Sequence, residues 1–453
     1  MAADLENAIE KVLQDFKIQT LKEEQKDILL TALNNKDCMA ILPTGYGKSL
    51  PYQMLIPVRK QLQIQRSPDL DSYNVGKIIV CSPLIALMQD QVDRLNSIPN
   101  VKAVYKGESK DSDQIIAEGK FDYLIASPEV LVGNSGFRQI LQEFKVDTIV
   151  VDECHTMCTW GGLGDEEQLA FRKWFRHLGE LRSMFPSANL LAVSATCNKT
   201  IRRTVMKELG LQKECTTLII RSPDKSNIKY YVKKIDSSIE MSMQFLLDSL
   251  ELEAFPRTII YATSVKEVSE LYNYLCNENP TLIDKVDMFH SETSDEKKSD
   301  IIKNLQDGGS QIKLVIATSA LGMGIDIVNC HSVILYGILS TTTDLIQEVG
   351  RIGRDGKESI ALLLYNKHHL QHADISVKHI YKTQTCRRIS IMKDFLSTSQ
   401  LDSLKTGIHS CCDICELECS CQNCKQLPLQ QYFLGLCVME DSDSVSSDAT
   451  DVE

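Results

Sequence analysis

The sequence predicts an α/β protein made of two tandem parallel-sheet domains and a small helical, cysteine-rich module. Three features predict it. Short apolar runs rich in Ile, Val and Leu alternate with stretches of helical period through most of the chain. Those runs are continuous rather than alternating, the pattern of strands covered on both faces. Six of the sixteen cysteines fall between Cys411 and Cys424, a density that suggests a metal rather than disulfides.

The elements follow in order. The first domain is expected over residues 1–220, with strands at Met39–Leu42, Lys77–Cys81, Tyr123–Ala126, Thr148–Val151 and Leu190–Val193. The pattern pauses in the turn-prone run Arg221–Asn227. It restarts with strands at Arg257–Tyr261, Lys313–Ala317 and Ser332–Tyr336, which defines a second domain over 221–375. The cysteine-rich module is expected over 376–428 and an acidic tail over 429–453. From Glu440 to Glu453 the tail has six acids, no base and many serines, so it reads as disordered. No solenoid period is present.

Composition narrows the class. The 453 residues are 43% hydrophobic and 24% charged, the balance of a globular protein. No apolar run reaches the length of a membrane span. The acidic start Met1-Ala2-Ala3-Asp4 lacks the order of a signal peptide. The expectation is an intracellular protein whose cysteines stay reduced, most of them buried singly in the core. The net charge is −12, and the tail supplies half of it. A nucleic-acid groove needs a local basic stripe rather than a basic total, so the charge does not exclude one.

Three runs carry chemistry. Pro43-Thr44-Gly45-Tyr46-Gly47-Lys48-Ser49 follows a strand and is expected to open a helix at Lys48-Ser49. Glycines let the backbone wrap a phosphate, with N–H groups and the helix start pointing at it. Lys48 can reach the outer phosphates of a nucleotide, and the Ser49 hydroxyl can ligate Mg2+. Leu42 stands where the strict pattern has Gly, so the loop is a variant form; a plain Gly-rich turn is the bland alternative. Val150-Val151-Asp152-Glu153-Cys154-His155 places an acidic pair at the end of a strand. Asp152 can hold Mg2+, and Glu153 can orient and deprotonate an attacking water. Two such carboxylates are costly without a cation. Finally, Gln347–Gly356 supplies Arg351 and Arg354 on what reads as a helix, where they would share a face. They are either a solvated basic face or a pair that reaches the terminal phosphate and ties hydrolysis to domain closure.

In this order the residues resemble a superfamily-2 helicase of the RecQ family. The set is Pro43–Ser49, Ser82–Gln91, Ser127-Pro128-Glu129, Asp152–His155, Ser194-Ala195-Thr196, Tyr261–Ser264, Ala317–Asp326 and Gln347–Gly356. The resemblance spans roughly Phe16 to Cys415, and eight runs in order are not coincidence. It implies two RecA-like domains, with ATP, Mg2+ and Zn2+ as cofactors. It implies that Gln25 and Lys22 meet the adenine, and that Thr44, Gly45, Gly47, Lys48, Ser49, Gly324 and Asp326 surround the nucleotide. The family's adenine-stacking aromatic falls at Ile18, with Phe16 nearby, and Lys22 stands where Arg is usual. His155, Thr196 and Gln347 resemble residues that couple DNA to the ATP site. So do Trp160, Phe171 and Trp174, in a run that resembles the family's aromatic-rich loop but looks expanded at Gly162–Gln168. The alternative for Phe171, Trp174 and Phe175 is a packed helix face. His290 resembles a position facing DNA; the alternative is a surface histidine.

Cys386-Arg387-Arg388 and Cys411-Cys412-Asp413-Ile414-Cys415 resemble the family's zinc module. The implied ligands are Cys386, Cys411, Cys412 and Cys415, with His409 as the alternative to Cys411. Cys419, Cys421 and Cys424 have no counterpart and read as free thiols, substitute ligands or a second site. No winged-helix domain is expected, which leaves translocation clearer than unwinding. The function implied is an ATP-dependent DNA helicase that runs 3′→5′ on single-stranded and forked or junction DNA. Repair and recombination, a nuclear or also cytoplasmic address, no membrane, and protein partners met through the acidic tail complete it. Two other readings are an RNA helicase of the same superfamily and an ATP-gated clamp that binds without unwinding.

Overall fold

A computed structural model describes residues 2–66, 75–162, 172–252, 255–321, 325, 327–371, 374–405, 411–420 and 433. The chain divides into two compact units, one of Met1–Lys225, Met323–Ile325 and Met392–Leu401 and one of Ser226–Gly322, Asp326–Ile391 and Asp402–Glu453. The first is built on strands β1 (Asp37–Ile41), β2 (Lys77–Cys81), β3 (Ala103–Tyr105), β4 (Tyr123–Ala126), β5 (Val146–Val151), β6 (Asn189–Ser194) and β7 (Thr216–Ile220). They form one parallel sheet in the order β3-β4-β2-β5-β6-β1-β7.

Both faces of this sheet are covered, which is why its strands lack alternation. Cys38, Ala40, Ile78 and Val80 join a core cluster on one face. Met39, Ile41, Ile79 and Cys81 join another on the opposite face. The five expected strands are present. The sequence reading omits β3, which has three residues, and β7, an edge strand with Leu218 and Ile220 exposed. Short or half-solvated strands give little apolar signal.

The second unit holds β8 (Ile228–Lys234), β9 (Arg257–Ala262), β10 (Val286–Phe289), β11 (Leu314–Ala317), β12 (Cys330–Tyr336) and β13 (Ser359–Tyr365). Its parallel order is β10-β11-β9-β12-β13-β8. Phe433 is buried in the core of this unit, edge-on to Phe245 at 5.8 Å and Phe255 at 6.1 Å. No described helix is long and apolar enough to cross a membrane. The acidic tail from Glu440 lies outside the described residues.

The cysteine-rich segment docks on β8, the edge strand of the second sheet. Tyr230 donates its N–H to the Cys411 carbonyl at 3.2 Å and forms a β-bridge with Cys412. The Val232 N–H donates to Asp413 at 3.2 Å, and the Arg388 guanidinium donates to the Ile228 carbonyl. An open strand edge is thereby covered. Behind it Arg387 is buried against Asp413, with Nε–Oδ1 and Nη2–Oδ2 both at 3.0 Å. The Arg387 Nη1 donates to the carbonyls of Ile380, Tyr381 and Thr383. Removing one partner of a buried, hydrogen-bonded ion pair costs about 3–5 kcal/mol. Asp413→Ala is therefore expected to lower stability by about 3 kcal/mol in denaturant unfolding; an unchanged midpoint would refute this role of the pair.

Candidate active site

The phosphate loop leaves the C-terminal end of β1. Gly45 and Gly47 hold φ of +80° and +83°, the left-handed region that side chains disfavour. A Cβ on Gly47 would stand 2.6 Å from Gln25 Nε2. Lys48 and Ser49 lie in a turn, and the helix begins at Leu50 rather than at Lys48. Pro51 sits in its first turn, where a missing N–H costs nothing. The helix pauses at Met54 and resumes as Leu55–Arg66. Pro57 is the cause, since its ring opposes the carbonyl four residues earlier.

The acidic pair sits at the end of β5, on the same edge of the sheet as the loop. Lys48 Nζ lies 3.8 Å from Glu153, with both side chains largely sheltered from water. Asp152 accepts from the Tyr52 hydroxyl at 3.0 Å and from Gln91 Nε2 at 3.3 Å. Burial, and then the charge of Glu153, push the Asp152 carboxyl up to about 6, against the pull of Lys48. Glu153 holds φ at +46°, a strained value for a residue with a side chain. That backbone turn sends the two neighbouring carboxylates to different partners.

From Glu153 a line of contacts runs to the third strand end. Glu153 lies 3.4 Å from His155 Nδ1, which meets Ser194 Oγ at 2.9 Å. Ser194 Oγ donates to the Thr196 carbonyl and accepts the Thr196 N–H, at 3.2 and 3.3 Å. Lys48, Glu153, His155 and Thr196 are thus joined through one buried serine.

On the other side of the loop, Gln25 Nε2 donates to the carbonyls of Tyr46 and Gly47 at 2.9 and 3.1 Å. Lys22 Nζ donates to the Tyr46 carbonyl at 3.2 Å. Ile18 is half-buried, and Phe16 is buried in the core and offers no face to a base.

Arg172 gathers three of the expected runs. Its Nε and Nη2 donate to Glu129 at 2.7 and 2.6 Å, and its Nη1 donates to the Pro83 carbonyl at 2.5 Å. Its guanidinium lies 5.5 Å from the Trp160 ring and 4.7 Å from Phe175. Phe175 is core, whereas Trp160 and Trp174 are half-buried, Trp174 beside His177 at 5.6 Å. Phe171, Gly324 and Asp326 lie outside the described residues.

In the second unit the helix Thr342–Val349 carries Gln347 and stops at Gly350. Arg351 and Arg354 therefore do not share a helix face: they lie in the turn beyond it, where Gly353 takes φ +59°. Arg351 is buried, so it is not part of a solvated basic surface. His290 is also buried and accepts the Glu292 N–H through Nδ1, which excludes a surface histidine.

The sulfurs of Cys386, Cys411, Cys412 and Cys415 all lie within 4.8 Å of one another, with Cys386 and Cys411 at 3.4 Å. Tetrahedral thiolates about 2.3 Å from a metal stand about 3.8 Å apart, so this donor set fits a four-coordinate ion. His409, Cys421 and Cys424 lie outside the described residues, and Cys419 is not part of the group.

Gln91 and Ser194 stand inside two of the runs that carry the resemblance but receive no role of their own there, and Tyr52 and Arg172 receive none. Gly47→Ala, strained by its φ and crowded by Gln25, is expected to weaken binding of a fluorescent Mg-nucleotide at least about ten-fold and to cost about 1 kcal/mol of stability. Wild-type affinity would show that the loop does not need this close approach.

Known proteins match the chain as follows. The DEAD/DEAH box helicase profile matches residues 22–204, and the helicase conserved C-terminal domain profile matches 239–356. The chain is 27% identical over 425 residues to an ATP-dependent DNA helicase RecQ of Haemophilus influenzae, covering 88% of this chain and 62% of that protein. It is 28% identical over 424 residues to RecQ of Pasteurella multocida, covering 92% and 58%. The chain thus spans about three-fifths of the length of these relatives. It is 29% identical over 436 residues to the mouse bifunctional 3′-5′ exonuclease/ATP-dependent helicase WRN, covering 88% and 28%. In fold it is similar to yeast Dbp5 bound to RNA and ADP BeF3, with TM-score 0.61, 17% identity and coverage of 88% and 95%. It is equally similar to Mycobacterium smegmatis Lhr bound to ssDNA and AMP-PNP, with TM-score 0.61, 20% identity and coverage of 86% and 50%. With two RecA-like sheets, the ordered site residues and these matches, the chain carries a DEAD/DEAH box helicase domain followed by a helicase C-terminal domain, and over most of its length it is similar to helicases of the RecQ family.

Proposed function

We propose that the protein is an ATP-dependent DNA translocase and helicase that moves 3′→5′ along single strands and opens forked or junction duplexes in repair and recombination. The line Lys48–Glu153–His155–Ser194–Thr196 carries this reading, because it ties the phosphate end of the site to a segment outside it. Ser49 and Asp152 would hold Mg2+, which would draw charge from the terminal phosphates. A cation there would also stabilise the Asp152 carboxylate, which burial disfavours. Phosphates that take Lys48 would draw it from Glu153, which then orients and deprotonates the attacking water. Arg351 and Arg354 would stabilise charge on the transferred phosphoryl group. Arg172 and Trp160 would report the DNA strand, since one guanidinium binds Pro83, Glu129 and the ring.

DNA is favoured over RNA by the relatives, which are named DNA helicases. The Dbp5 likeness, under a fifth identical, speaks for the fold alone. Zn2+ is the proposed ion at the four cysteines, holding the segment on β8. A nuclear address belongs to the same proposal, as the place of chromosomal DNA.

Mg-ATP hydrolysis is expected to rise several-fold with single-stranded DNA and less with RNA of matched sequence, and 3′-tailed duplexes to open before 5′-tailed ones. Lys48→Ala should abolish hydrolysis and leave DNA affinity within about three-fold. Ser194→Ala should remove most of the DNA stimulation. ATPase indifferent to DNA would sink the proposal; hydrolysis stimulated without strand release would favour a clamp. For the metal, Cys412→Ser is expected to lose about one zinc per chain by elemental analysis and to lower the melting temperature. A full zinc content in that variant would remove Cys412 from the ligand set.

A further inference from the structure

Tyr46 is the one large side chain between the glycines of the phosphate loop, and it is held on several sides. Its hydroxyl donates to Glu24. Arg221 donates to that same carboxylate, and its guanidinium carbon lies 5.6 Å from the Tyr46 ring centroid. Lys22 Nζ lies over the ring at 4.1 Å. Tyr46 and Ile18 border the same core cluster. Burial and the bond to Glu24 push the Tyr46 hydroxyl up to about 12, so it stays a neutral donor at ordinary pH.

A nucleotide whose phosphates lie in this loop carries a flat base on the far side of its ribose. Such a base is held by stacking on an aromatic ring or a guanidinium plane. Ile18 supplies neither, and Phe16 is buried. Tyr46 and Arg221 supply both and share one carboxylate, Glu24, while the Gln25 amide holds the Tyr46 carbonyl.

We propose that Tyr46 and Arg221 form the clamp for the nucleotide's base, with Glu24 as their common anchor, and so determine affinity for the nucleoside part of ATP. The proposal rests on the nucleotide reading of the loop. A base between ring and guanidinium needs about 7 Å, two stacking distances. The present 5.6 Å must therefore widen by an ångström or two. Arg221 is the member that moves, since its side chain is 55% exposed while that of Glu24 is 16% exposed. Lys22 then stays with the Tyr46 carbonyl and the phosphate end.

The test separates the base from the phosphates. Loss of one stacking surface weakens a base by about ten-fold or more. Tyr46→Ala is expected to raise the KM for ATP about ten-fold with a smaller fall in kcat, Arg221→Ala to act in the same direction, and Tyr46→Phe, which keeps the ring but loses the bond to Glu24, to raise KM less than Tyr46→Ala. Inorganic tripolyphosphate, which has no base, should inhibit wild type and Tyr46→Ala with the same constant. An unchanged KM in folded Tyr46→Ala would overturn the clamp. So would a parallel loss of tripolyphosphate affinity, which would mean that Tyr46 only shapes the loop. Wild-type protein that neither hydrolyses ATP nor binds tripolyphosphate would instead overturn the nucleotide reading, and the clamp with it.

Discussion

The site depends on keeping two adjacent carboxylates, Asp152 and Glu153, sheltered from water at the end of one strand. Isolated charges in such a place cost several kcal/mol each, so every neighbour is arranged to offset them. Asp152 takes the Tyr52 hydroxyl and the Gln91 amide, and Glu153 takes Lys48 and lies beside His155. The left-handed backbone at Glu153 breaks the alternation of an extended strand, which would send the two side chains to opposite faces, and so leaves both carboxylates at the same site with different partners. The offset is incomplete, and Asp152 remains easier to protonate than an ordinary carboxylate. A site under that tension favours a bound cation.

Strand order turns the constraint into a site. β5, β6 and β1 are neighbours in the first sheet, so the acidic pair, Ser194 and the phosphate loop leave from adjacent carboxyl ends. Ligands of open parallel sheets bind at such ends. Because both faces of the sheet are packed, these strand ends are fixed relative to one another. Contacts between 2.9 and 3.8 Å then run from Lys48 through Glu153, His155 and Ser194 to Thr196.

The second unit meets a different constraint, an exposed edge. β8 ends the sheet, and the segment with Cys411 and Cys412 lies along it through Tyr230. Arg387 and Asp413 fix that segment from behind, beside the sulfurs. The four thiols and the covered edge are parts of one arrangement, which gives a bound metal leverage over the stability of this unit.

The sequence alone determined the two parallel sheets, because continuous apolar runs between helices have no other economical burial. It also determined Lys48, Asp152 and Glu153 as residues of interest, because their spacing is local and chemically distinctive, whereas the set Cys386, Cys411, Cys412 and Cys415 came from the family resemblance, since Cys386 stands 25 residues before Cys411. Tertiary structure alone decided which groups meet across long separations. Tyr52 and Gln91 reach Asp152, Arg172 joins Pro83 to Glu129, and Arg221 reaches Tyr46 and Glu24. No periodicity encodes such pairs, since they arise from strand order and not from spacing. The same holds for Arg351 and Arg354, where Gly350 and Gly353 end the helix that their spacing suggested. Local pattern fixes what a segment can be; the packed sheet fixes what it touches.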